Sequence, residues 1–258
     1  MITDAVILMA GTGSRLRATG GTLPKPLVPI EGRAIISHIL DALRQVGIST
    51  LHVVVGWESE RLLAGLSPLL PGGMRLHPIE NPEWQKQNGI SLLAAAPHLA
   101  EPFLLLMGDH LFEARLLQDL VRQADPAVLN LAVDRKIESI FDLDDAMKVQ
   151  TSEGRIVAIG KTLDRYDAID TGIFVCPAEI FAYLDKVRVN QDCSLADGVR
   201  AMAEEGKARV IDIGDAWWQD VDDGGMLREA ETVAAWRLTS RKEDRFQTQE
   251  QADGSDHP

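Results

Sequence analysis

Residues 8–16 read LMAGTGSRL and residues 24–26 read PKP. The first stretch leaves an apolar run through two glycines and closes on a basic side chain, and the second supplies a lysine shortly afterwards. Ala5–Met9 has the pattern of a buried strand ending at glycine. Glycines there let backbone N–H groups approach phosphate oxygens, and Arg15 and Lys25 bring charge to neutralise a polyphosphate. Leu16 stands where a dinucleotide-binding loop has its third glycine, and the G-K-[ST] of nucleotide hydrolases is absent. A tight turn flanked by two surface cations explains the same residues equally well.

Working outward, apolar residues at helical spacing from Ala34 (Ile35, Ile36, Ile39, Leu40, Leu43, Val46) stop at Gly47, and Leu51–Val55 forms the next strand. Glu58–Leu66 reads as a helix, Arg75–Ile79 as a strand, Ile90–Leu99 as a helix and Phe103–Met107 as a strand. Such alternation predicts an α/β fold: a doubly wound sheet built of right-handed crossovers, with ligands at the carboxyl ends of its strands. Beyond Asp134, MKVQ, RIVAIG and TGIFVC read as antiparallel strands, so the central sheet is expected to be mixed but mostly parallel. Helices over Ala178–Val187 and Leu195–Glu205, a strand over Ala208–Ile213 and a closing helix from Gly225 to Leu238 complete one domain, 1–238. Residues 239–258 are polar, without periodicity, and are expected to be a disordered tail.

Three further stretches carry chemistry. In MGDH, residues 107–110, Asp109 follows an apolar strand and a glycine, a position suited to a divalent cation or to capping a helix. In WWQDVDD, residues 217–223, strand alternation puts Asp220 and Asp222 on one face, so that three carboxylates surround one metal if that face meets Asp109; a solvated edge is the alternative. Asn81, Asn88, Gly89 and Ser91 precede a helix and offer groups that read a base edge or cap that helix. Lys148 and Lys161 stand on predicted strands, Lys161 shortly before Asp170, Thr171 and Gly172, a glycine-bearing turn that would accept a substrate. His110 is adjacent, but a phosphate nucleophile is already ionised and needs no base.

The 258 residues carry a formal charge of −13, with no cluster of Lys and Arg interleaved with aromatics, which argues against nucleic acid as a partner. No apolar run reaches the length of a membrane span, and MITDAVILMAG has an acid where a signal peptide is basic, so cytoplasmic residence without membrane insertion is expected. Cys176 and Cys193 have neither metal-ligand nor disulfide-framework spacing. The oligomeric state is left open, a homodimer included.

Taken together the motifs resemble the sugar-nucleotide type of nucleotidyltransferase, whose L-x-A-G-x-G-x-R-(L/M) loop and following PK match Leu8–Leu16 and Pro24–Lys25. Within that superfamily NGISL, MGDHLFE, LAVDRKI, DLDDAMKV, GRIVAIGKTLDRYDAIDTGIFV and WWQDVDD resemble the CTP:inositol-1-phosphate cytidylyltransferases. The resemblance implies a Rossmann-like nucleotidyltransferase (GT-A-type) domain and a Mg²⁺-dependent transfer of CMP from CTP to a small phosphorylated alcohol, with pyrophosphate released. It implies that Met9, Ala10, Gly11, Thr12, Gly13, Ser14, Arg15 and Lys25, with Asn81, Asn88, Gly89, Ser91, Met107 and Gly108, bind the nucleotide. Asp109, Asp220 and Asp222 would hold Mg²⁺; Lys148, Lys161, Asp170, Thr171 and Gly172 would bind the acceptor; Arg15, Lys25, Asp109 and Lys161 would be catalytic. A separate downstream transferase would use the CDP product. Asp223 stands where related sequences continue DVDT, which leaves the details of that loop open. Phosphocholine, an aminoalkylphosphonate or a hexose 1-phosphate are alternative acceptors, and the nearby acids Asp164, Asp167 and Asp170 are compatible with an aminated one. A nucleotide-sensing domain without catalysis is the alternative of another class.

Overall fold

Strand β1 (Asp4–Met9) runs through the middle of the molecule because neither of its faces meets water: Ala5, Val6 and Ile7 are wholly buried. It pairs in parallel with β4 (Thr50–Val55) on one side and β6 (Phe103–Met107) on the other. Both neighbours are buried too, β6 wholly apolar and β4 apolar apart from Thr50 and His52, as suits strands covered on two faces. This is a computed structural model, in which residues 1–18 and 20–237 are described; the tail expected at 239–258 lies outside them.

A small ribbon of β2 (Pro29–Ile30) and β3 (Arg33–Ala34) stands apart from the central sheet, whose further strands are β5 (Arg75–Glu80), β8 (Leu129–Asp134), β9 (Lys148–Ser152), β10 (Arg155–Gly160), β11 (Ala168–Cys176) and β12 (Ala208–Asp212). Among the described residues the central sheet has nine strands, ordered β5-β4-β1-β6-β11-β8-β12-β10-β9. All run in one direction except β10 and β11, so the sheet is mixed and mostly parallel, as expected.

Strand alternation sorts the core into two halves. Ala5, Ile7 and Met9 face α2 (Ile35–Gln45), α3 (Ser59–Leu66) and α5 (Ala114–Gln123), while Val6 and Leu8 face α4 (Asn88–Ala94), α6 (Ile180–Val187) and α7 (Leu195–Glu204). The stripe of α2 buries the side chains whose periodicity predicted it, and Gly47 ends it in the left-handed conformation at φ +85°. The helix expected over Ile90–Leu99 is instead α4 followed by a separate 3₁₀ turn, Ala96–His98, because Pro97 cannot supply the N–H that a continuous helix requires there.

Two departures from regular pairing make the site. Strand β7 (His110–Phe112) pairs antiparallel with β13 (Trp218–Asp220) outside the main sheet, setting His110 opposite Asp220. Strand β11 is wedged antiparallel between β6 and β8, and its register with β8 slips between Asp170 and Phe174. Gly172 sits in that slip at φ +72°, and a Cβ there would lie 2.6 Å from His110 Nε2. The bulge re-aims the strand at the carboxyl end of the sheet.

Candidate active site

The glycine turn after β1 leads into α1 (Ser14–Ala18) and then to a 3₁₀ turn at Lys25–Leu27 that prolines bracket on both sides of Lys25. Gly13, at φ +60°, has no room to spare: its Cβ would stand 3.1 Å from Lys25 Cβ. Lys25 is thereby carried inward until its side chain is only 10% exposed. Its ammonium donates to Asp109 Oδ2 at 2.5 Å and to Asp222 Oδ1. Arg15 donates to Asp222 and, at 3.1 Å, to Asp145; Lys161 donates to the other oxygen of Asp145. The result is an unbroken alternation of charge: Asp109, Lys25, Asp222, Arg15, Asp145, Lys161.

The electrostatics follow from that row. Burial pushes Asp109 upward, but Lys25 and His110, whose Nδ1 lies 2.7 Å from Asp109 Oδ1, more than reverse it and hold the carboxyl well below the usual range. Burial likewise works against the charge of Lys25, which Asp109 and Asp222 more than restore, so its pKa is raised. Asp220 is the exception: burial, reinforced by Asp222 and Asp109, raises its pKa against the opposing field of His110. Burial pushes Asp170 up to about 6, opposed by the Gly172 N–H, which donates to it, and by His110.

A cavity of about 880 Å³ is lined by Ala10, Gly11, Arg15, Asn88, Ser91, Met107, Asp109, Lys161, Asp170, Gly172, Asp220 and Asp222. A smaller one, about 280 Å³, shares Gly11, Arg15, Asp109 and Asp222 and adds Met9, Thr12, Gly13, Ser14, Lys25 and Gly108. Residues from both ends of the chain thus meet in one place, and most of the glycine turn, with Lys25, lines the smaller lobe.

Four expected site residues line neither cavity, and each has another task. Asn81 is buried, donating to Ser91 Oγ at 3.0 Å while its carbonyl oxygen accepts from Glu83 N. Gly89 lets the chain pass Cys193, whose carbonyl oxygen would be 2.5 Å from a Cβ. The hydroxyl of Thr171 donates to Ala132 O. Lys148 is buried, donating to Lys161 O at 2.9 Å and reaching Asp144 O and Ala146 O more distantly. Asn88 does reach the cavity, but its side-chain oxygen accepts from Leu195 N at 2.8 Å, which leaves its amide nitrogen for a ligand. Asp167, one of the acids compatible with an aminated acceptor, is held instead by Arg135 and Thr151.

Sequence reasoning passed over Asp145, Trp218 and the part of His110. Trp218 stacks on His110 at 5.9 Å between centroids, and with Trp217 and Phe141 it lines the cavity. The DLDD run before Lys148 was the available signal for Asp145.

Magnesium takes one or two carboxylates together with substrate phosphate oxygens. The all-oxygen donors Asp109, Asp220 and Asp222 fit that demand, and Asp220, surrounded by fellow acids, gains most from a cation. The expected ring of three carboxylates around one metal is not preformed: among the described residues no three His, Cys, Asp or Glu side chains are so grouped. The Lys25 ammonium stands between two of the three acids instead.

A model of the MobA-like NTP transferase domain matches residues 5–140. The chain belongs to that family. The matched stretch runs from β1 through the Asp109 turn into the loop after β8, so it holds the glycine turn, Lys25 and Asp109; Lys161, Asp220 and Asp222 come from the chain beyond it. Among curated NTP transferase relatives, a "Bifunctional IPC transferase and DIPP synthase" of Rubrobacter xylanophilus is 33% identical over 235 residues, 90% of this chain and 52% of that protein. A "CMP-5'-(3-aminopropyl)phosphonate synthase" of Streptomyces rubellomurinus is 32% identical over 249 residues, 88% of this chain and 38% of that protein. The chain spans about half the length of the bifunctional relatives it matches. The solved structure of the inositol-1-phosphate CTP transferase from T. maritima superposes with a TM-score of 0.76 at 27% identity, over 87% of this chain and 91% of that one. Among the described residues no helix is long and apolar enough to cross a membrane.

Proposed function

We propose that this chain is a CTP:inositol-1-phosphate cytidylyltransferase, with residues 1–238 as its catalytic domain. An oxygen of the inositol 1-phosphate attacks the α-phosphorus of CTP in line; the bond from that phosphorus to the bridging oxygen breaks, and CDP-inositol and pyrophosphate result. The observation that carries the reading is the charge alternation from Asp109 to Lys161, which joins the smaller lobe, lined by the glycine turn, Arg15 and Lys25, to the larger lobe that holds Lys161. The activities for which the Rubrobacter and T. maritima proteins are named support the same chemistry.

Phosphoryl-group chemistry of this kind depends on positioning and on neutralising charge, and the side chains divide that work. Arg15 and Lys25, at the edge of the smaller lobe, neutralise the triphosphate and the leaving pyrophosphate. Lys161 meets the acceptor phosphate in the larger lobe, where Asp170 and the Gly172 bulge shape the floor. Asn88 and Ser91 face the base, with Asn81 and Gly89 holding the first turn of α4 in position. A bound Mg²⁺ would screen the triphosphate's charge, and Asp109 and Asp220, joined by Asp222, would hold it. Relatives named for two linked activities support a second transferase that consumes the CDP product.

An aminoalkylphosphonate acceptor is the second reading, favoured by Asp170 in the cavity and by the Streptomyces relative. The test is a matrix of the four nucleoside triphosphates against inositol 1-phosphate, phosphocholine, an aminoalkylphosphonate and a hexose 1-phosphate, scored by pyrophosphate. Turnover confined to CTP with inositol 1-phosphate is expected. Turnover with the phosphonate instead changes the acceptor, and CTP binding without pyrophosphate from any pair makes the chain a sensor.

A further inference from the structure

Asp145 is the one acid in the charge row that stands between the two proposed halves of the site. Its two oxygens are divided: Oδ2 accepts from Arg15 at 3.1 Å, and Oδ1 accepts from Lys161. Its placement is built. The buried Lys148 donates to Lys161 O and reaches Asp144 O and Ala146 O, so one cation ties the segment carrying Asp145 to the strand end carrying Lys161. Asp145 is held charged by its hydrogen bond to Lys161 and by Arg15, which depress its pKa. Yet this arrangement is open to solvent: the side chains of Arg15, Lys161 and Asp145 are 50%, 52% and 39% exposed.

A carboxylate bridging two cations through separate oxygens occupies a position that a phosphate would also fill. We propose that Asp145 stands in for the acceptor phosphate in the substrate-free enzyme, and that Arg15 and Lys161 together bind that phosphate once Asp145 is displaced. Arg15 then serves both substrates, through one nitrogen on the Asp222 side and the other on the Asp145 side. Displacement is driven by charge: a phosphate monoester near neutral pH carries roughly 1.5 to 2 negative charges against one for the carboxylate. The proposal rests on the reading of the acceptor as a phosphate monoester.

Exposed ion pairs each change an equilibrium constant by about onefold to fivefold, and two must be broken here. The experiment is a titration of the wild-type chain, Asp145→Asn and Asp145→Ala with inorganic phosphate, by calorimetry and without CTP, repeated with inositol 1-phosphate. Both variants should bind phosphate about threefold to tenfold more tightly than wild type. The gain should vanish when Lys161→Gln is added. Unchanged or weaker binding in both variants overturns the proposal, as does a gain that survives Lys161→Gln. The readout needs no turnover, so failure of the cytidylyl-transfer assay and failure of this proposal are separate results.

Discussion

At the scale of single residues, the site is a contest between burial and charge. Asp109 is kept ionised by two cationic neighbours, whereas Asp220 and Asp170 bear the cost of burial without an equal counter-ion. Asp109→Ala should leave a folded chain, since Lys25 keeps Asp222, while pyrophosphate release falls by about 10²–10³. Wild-type turnover in that variant refutes the metal-holding role. For Asp170 the folded pKa, about 6, lies above the ordinary value of 3.8. The folded state therefore binds the extra proton, and stability is lost as pH rises between those values. Asp170→Asn should match wild type near pH 4 and exceed it above pH 6, by at most about 3 kcal/mol, in urea titrations at the two pH values. A variant less stable at pH 8 contradicts this. The sequence displayed Arg15, Lys25 and the acids by type, but not which acid meets which cation; the pairing is set by side chains that the chain order separates widely.

At the scale of elements, the long strands and amphipathic helices were legible because burial on two faces, or on one stripe, writes a pattern many residues long. Short pieces were not. Strand β7 has three residues and β13 has three, so the alternation read over WWQDVDD stops at Asp220 and Asp222 lies beyond the strand, yet their pairing sets His110, next to Asp109, opposite Asp220. The slip in β11 was visible only as the glycine of Asp170–Gly172, and nothing local disclosed that Gly172 packs on His110. That packing makes a prediction. Gly172→Ala places a side chain in left-handed backbone and against His110, so stability should fall by about 1–3 kcal/mol, read as a lower denaturant midpoint. Turnover should fall with it, because His110 holds Asp109. An unchanged midpoint and rate would show the bulge to be dispensable.

At the scale of the whole molecule, a chain of net charge −13 gathers Arg15, Lys25 and Lys161 around two adjoining cavities. The fold class followed from the alternation of elements, and the family follows from the matched first half. The proposed acceptor half was less legible, because Asp145 meets Arg15, 130 residues away in the chain, and the aromatic wall brings Phe141 together with Trp217 and Trp218. Ligand linkage gives a global test: CTP with Mg²⁺ at a hundredfold its Kd adds about 2.7 kcal/mol, a rise of roughly 5–10 °C in Tm, and NAD adds none. A shift with NAD and none with CTP would oppose the account. The most direct measurement is a crystal structure with Mg²⁺, inositol 1-phosphate and the α,β-methylene analogue of CTP. The account predicts the cation on Asp109 and Asp220, the triphosphate on Arg15 and Lys25, and the acceptor phosphate on Lys161. A cation bound elsewhere, or a phosphate that leaves Lys161 in solvent, would contradict it.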